Sequence, residues 1–107
     1  MLERLFQNDY SPIDFSFVYQ LKEEDLNMFF DVTDFAIESI VDIIKESQVY
    51  VNQLPLAQAK EVVAYFYRLL DLYTDYELYE ECDDIVFVIN TLEGHVKIME
   101  EKVGNMN

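Results

Sequence analysis

The stretch that decides the fold runs LYEECDDIVFVINTLEGHVKIMEEKV, from Leu78 to Val103. Its apolar residues Leu78, Cys82, Ile85, Ile89, Leu92, Val96, Met99 and Val103 alternate steps of four and three without a miss. That spacing is a heptad seam, with Cys82 at an a position, and it puts every one of these side chains on one side of an α-helix. Gly94 falls at an f position facing away from the seam, where it weakens the helix by about 1 kcal/mol without disturbing packing. His95 falls at a g position and is expected at the seam edge or in solvent. The dense run Ile85-Val86-Phe87-Val88-Ile89 has the length of a buried strand, but the heptad passes through both its ends and favours helix.

Working outward, helix boundaries are marked by cap chemistry. Ser11-Pro12-Ile13-Asp14 offers a capping hydroxyl, a proline for the first turn and an acid at N3. Tyr10 and Phe15 stand where a hydrophobic staple would sit. Asp31-Val32-Thr33-Asp34 repeats the pattern with Phe30 and Phe35, and Thr74-Asp75-Tyr76-Glu77 repeats it with Tyr73 and Leu78. Pro55 marks a fourth start. Between these signals, Ile37, Ile40, Val41, Ile44 and Val51 share one helical face, as do Ala59, Val62, Val63, Phe66, Leu69, Leu70 and Tyr73. The prediction is an all-α bundle of four helices near 12–28, 31–51, 55–73 and 75–103, forming one domain over residues 1–107. Phe15, Phe17 and Tyr19 alternate with polar residues, so the first third also carries a strand pattern beside its helical caps.

Composition agrees. The chain has 107 residues with only two Gly and two Pro, too few for the many turns of an all-β domain. With 22 acidic and 7 basic residues the net charge is −15, yet 51% of the chain is hydrophobic and 15% aromatic, unlike a disordered acidic tail. Seven scattered bases cannot form a face for direct nucleic-acid binding, and an anionic membrane would repel the chain. One cysteine, Cys82, permits no intrachain disulfide and suits a reducing compartment. Neither a signal peptide at Met1–Phe6 nor a run long enough to cross a membrane is visible, so a soluble cytoplasmic protein is expected.

Catalytic chemistry has little to stand on. Cys82 and His95 lie thirteen residues apart on one expected helix, roughly 20 Å at 1.5 Å per residue. Glu80, Glu81, Asp83 and Asp84 around Cys82 disfavour its thiolate. No Gly follows an alternating acid run as a calcium loop needs, no Glu-x-x-His pair is present, and zinc lacks its Cys and His set. The expectation is a protein with no catalytic residues, no metal and no cofactor.

The acids, by contrast, are ordered. Glu77, Glu80, Glu81 and Asp84 stack at i, i+3, i+4 and i+7, with Asp75 and Asp83 beside them and Tyr73, Tyr76 and Tyr79 interleaved. Asp31, Asp34, Glu38 and Asp42 form a second column, and Glu23, Glu24 and Asp25 a third cluster. Like charges at i, i+4 repel by a few tenths of a kcal/mol, and no base lies between Arg68 and Lys97 to relieve the first column. A solvated face is one reading. The other is a surface awaiting a basic partner, a nuclease or a toxin, with the tyrosines as anchors.

In charge, size and helical class the chain resembles the small acidic inhibitors that phages and mobile elements direct at host nucleases, including anti-restriction and anti-CRISPR proteins. The resemblance rests on composition, so it assigns no residue a role; it implies a DNA mimic in the host cytoplasm that fills a nucleic-acid groove. Immunity proteins and antitoxins against basic toxins share the same composition. A third possibility is structural: a final helix about 43 Å long could pair in a homodimer through residues 78–103, coiled-coil fashion.

Overall fold

A computed structural model describes residues 14–47 and 49–105. Of these, 89% are helical and none is in a strand. A 3-10 helix, Phe15–Gln20, precedes α1 (Glu23–Glu46), a single turn α2 (Val49–Asn52), α3 (Leu56–Asp75) and α4 (Tyr79–Asn105). The all-α class is as the periodicity predicts. The partition of the first half is not.

Instead of a helix over 12–28, residues 15–20 form a 3-10 helix, which also replaces the alternative strand reading. Phe15-Ser16-Phe17-Val18-Tyr19 contains only residues of modest helix propensity. Asp14 caps the segment by accepting from the Ser16 N–H at 2.9 Å. Leu21 and Lys22 are then both extended, which separates it from α1. The predicted cap and staple at Tyr10–Ile13 lie outside the described residues.

α1 begins at Glu23, so the expected start at Asp31 is a correction: Asp31 and Asp34 are interior residues of a 24-residue helix. Lys22 caps it without a side-chain bond, and Glu23, Glu24 and Asp25 supply negative charge to the first turn, where the helix dipole favours it. Leu26 and Phe30 before the supposed boundary and Ile37, Val41 and Ile44 after it face the core from the same side of one helix. α1 ends at Ser47, well short of the predicted 51.

α3 follows Pro55 as expected. Its end overturns the third cap. Thr74 Oγ1 donates back to the Leu70 carbonyl at 2.7 Å, the bond of a residue inside a helix. Glu77 takes φ 59, its N–H reaches the Thr74 carbonyl at 3.0 Å, and the Leu78 N–H reaches the Tyr73 carbonyl at 2.9 Å. Those two bonds are a Schellman motif, so Thr74–Glu77 closes α3 rather than opening α4.

α4 is the centre of the bundle. It packs most extensively on α3 and next on α1. Ile85, Ile89 and Leu92 of the seam are buried, and so are two g positions, Val88 at 0% and His95 at 7% exposure. A helix covered by two neighbours buries a wider stripe than a two-stranded seam, which is why His95 is inside rather than at the solvent edge. Its Nε2–H donates to the Leu54 carbonyl at 2.8 Å, satisfying the ring and tying α4 to the loop before α3. The middle of the seam is thus consumed within the chain, while Val103 at its far end is exposed, as is Ile98 beside it on the helix. The radius of gyration is 15.2 Å and the extents are 52 × 32 × 21 Å. That is longer than the roughly 13 Å radius of an equally sized compact domain, because α4 alone spans about 40 Å.

Candidate partner-binding surface

The acids approach one another where α1 passes the start of α4. Asp34, half-buried on α1, accepts a hydrogen bond from the Tyr73 hydroxyl at 2.6 Å. Burial pushes its carboxyl above the usual range, the Tyr73 bond opposes that, and repulsion from Glu81 and Asp31 adds to it. Glu81 on α4 therefore acts on Asp34 across the helix–helix junction, and the two columns read separately in sequence meet there. Tyr73 itself is pushed up, first by burial, then by its bond to Asp34 and by the charges of Asp34 and Glu81.

Within α4, Glu80 and Asp84 lie at i, i+4, with Asp83 at i+3 from Glu80; Glu80 and Asp83 are exposed and Glu81 and Asp84 half-buried. Glu77 does not join this column, because it sits in the left-handed turn before the helix. On α1, Asp31, Glu38 and Asp42 are exposed. Asp75 ends α3 and accepts from the Tyr19 hydroxyl at 2.5 Å. That bond, chiefly, with smaller contributions from burial and nearby Asp75 and Asp71 charge, pushes the Tyr19 phenol up to about 12.

The tyrosines separate sharply. Tyr73 is 0% exposed, its ring edge-on to Phe30 at 5.1 Å, so it is a core residue and offers no ring to a partner. Tyr76 is half-buried, stacked under Tyr19 at 5.7 Å and edge-on to Phe30 at 5.1 Å. Only Tyr79 of the three is exposed. Tyr73, whose carbonyl accepts one of the Schellman bonds, faces inward; Tyr79 follows the turn and faces out. A reversal of chain direction between them is invisible to residue type.

Bases do little to relieve this surface. Among the described residues the one ion pair is Lys60–Glu100 at 3.0 Å, with both side chains more than half exposed. Such pairs contribute about 0–1 kcal/mol. It lies some twenty residues along α4 from Glu80, roughly 30 Å away. Lys45 places its Nζ 5.7 Å over the Phe87 ring.

The two residues weighed for chemistry lie apart, each with its own partner. Cys82 is half-buried, 3.8 Å from the Thr74 hydroxyl, and His95 is bonded to backbone. Among the described residues no three His, Cys, Asp or Glu side chains are grouped as a metal site requires. No helix among them is long and apolar enough to cross a membrane.

Sequence reading missed one feature. On α1, Met28, Val32, Phe35 and Ile43 are exposed, on the face opposite the core stripe. Their helical spacing was present in the sequence, but the caps expected at Asp31 hid it by cutting the helix in two. Comparisons with models of protein families, with curated proteins and with solved structures give no match for this chain.

Proposed function

We propose that this chain is a non-catalytic binding protein whose acidic band, formed by Asp31, Glu38 and Asp42 of α1 and Glu80, Glu81, Asp83 and Asp84 of α4, docks on the basic surface of a nucleic-acid-binding protein and excludes nucleic acid from it. The observation that carries this reading is that α1 and the start of α4 bring their acids to one junction, where Asp34 is bonded to Tyr73 and is repelled by Glu81. Repulsion of that kind works against the free fold and is relieved when a basic surface covers it. Along the axis of α1, Asp31, Glu38 and Asp42 stand about 10 and 6 Å apart, an extended row of exposed carboxylates. Tyr79, exposed beside the band, is the aromatic anchor this reading retains.

The test uses the immobilised chain to capture a host protein, followed by competition on that purified protein with labelled duplex DNA or RNA. The proposal predicts mutual exclusion, and loss of capture by the variant Glu80→Lys, Glu81→Lys, Asp84→Lys with its helical circular dichroism intact. A captured protein that holds nucleic acid and the chain together overturns it. The concentration of acid near one end of α4 also suits an immunity protein. Capture of a nuclease toxin, lethal to cells lacking the chain, would select that form.

A further inference from the structure

α1 carries two apolar stripes. Phe30, Ile37, Val41 and Ile44 face the core, and Met28, Val32 and Phe35, at 64%, 65% and 72% exposure, continue with Ile43 along the opposite side. At 3.6 residues per turn the outer four fall within about 80° of arc, centred about 170° from the core stripe. Asp31, Glu38 and Asp42 run along one flank of it, leading round toward Asp34 and Glu81. At its C-terminal end the stripe opens into a cleft of about 180 Å³ in which Ile43 is joined by Ile40, Val51, Leu54, Val62 and Phe66. Every side chain lining that cleft is apolar.

We infer that this outer face of α1 is a docking surface for a basic amphipathic helix of the partner protein. The partner's apolar face covers Met28, Val32 and Phe35, one of its large side chains enters the cleft beyond Ile43, and its Lys or Arg flank pairs with Asp31, Glu38 and Asp42. Charge selects this occupant. A second copy packed antiparallel on the stripe would set two acidic columns side by side, and one packed parallel would bring no base to them. The bases of α1 are Lys22 at its N-cap and Lys45, which reaches to Phe87. Scattered apolar residues are ordinary on a surface, whereas a helical stripe flanked by one sign of charge is how a helix recognises a groove or another helix. The inference rests on the proposed basic partner and adds that apolar contact, not charge alone, supplies the affinity.

The experiment measures binding of a synthetic 18-residue helical peptide, a leucine face rimmed by arginines, to the full chain at roughly physiological salt. Its control keeps every arginine and replaces the leucines with glutamine. The leucine peptide is expected to bind at least tenfold more tightly than the control, and backbone amide shifts are expected to map to residues 28–43. The variant Met28→Gln, Val32→Gln, Phe35→Gln, conservative in helix propensity, is expected to erase that difference without loss of circular dichroism. Equal binding of both peptides, or a variant that keeps the preference, overturns the docking surface while leaving the acidic-partner reading intact. A wild-type mass of two chains by light scattering, reverting to one in the triple variant, overturns it in favour of self-association.

Discussion

α1 and α4 are of similar length, 24 and 27 residues, and both are patterned for burial, yet the fold treats them differently. α4 packs on both α1 and α3, so the middle of its heptad, Ile85, Val88, Ile89, Leu92 and His95, is buried, while Asn90, Gly94 and Lys97 are exposed. α1 packs on α4 along its core stripe, while Met28, Val32, Phe35 and Ile43 on its opposite side are apolar and exposed. Helical periodicity states that a face exists; it does not state what covers it. On α4 the chain itself does. On α1 the uncovered stripe and its acidic flank are the reason to look for a partner.

The comparison breaks first on stability. Ile85→Ala, at a position with no exposure, is expected to cost about 2–5 kcal/mol by urea denaturation. Val32→Ala on the outer face of α1 is expected to stay within about 0.5 kcal/mol. Equal costs would mean that α1 is covered and the contrast is false. Tyr73→Phe removes the donor to Asp34 while keeping the ring, and is expected to cost about 1–3 kcal/mol. Glu77→Gly should raise stability by about 0.5–1 kcal/mol, since glycine relieves the left-handed turn at some cost in chain entropy.

The smallest effect concerns pH. Asp34 is raised by burial in the folded state, so the stability it lends is complete below its unfolded value of 3.8 and is lost as pH rises through the folded value. Asp34→Asn is therefore expected to be more stable than wild type near neutrality, by a few tenths of a kcal/mol, as relief of a like-charge pair would give. The difference should close as pH falls to about 3. A gap that widens on acidification would show that Tyr73 and not burial governs Asp34.

What was legible in the sequence follows from where the large energies lie. The heptad through Ile85, Ile89 and Leu92 and the face of α3 are long apolar patterns, and each buried side chain is worth roughly 1.5–3 kcal/mol. Cap grammar is worth about 1 kcal/mol at a site and is easily overruled. Core contacts on both sides of Asp31, from Leu26 and Phe30 and from Ile37, Val41 and Ile44, outweighed its cap signal, and the Schellman turn took Thr74 and Asp75 into α3. The acids were identifiable by residue number. That Asp34 meets Glu81, that Glu77 leaves the column, and that Tyr73 turns inward while Tyr79 turns out are consequences of chain reversal, which no local spacing records.

The central claim is that the acidic band binds a basic partner. It is tested most directly by the affinity for the captured protein, measured as salt rises from about 50 to about 200 mM, where release of counterions makes charge-driven binding fall steeply. The account predicts a loss of at least tenfold for the wild-type chain. The variant Glu80→Lys, Glu81→Lys, Asp84→Lys should bind weakly throughout, with a shallower slope. An affinity that holds steady across that range in both proteins would contradict it.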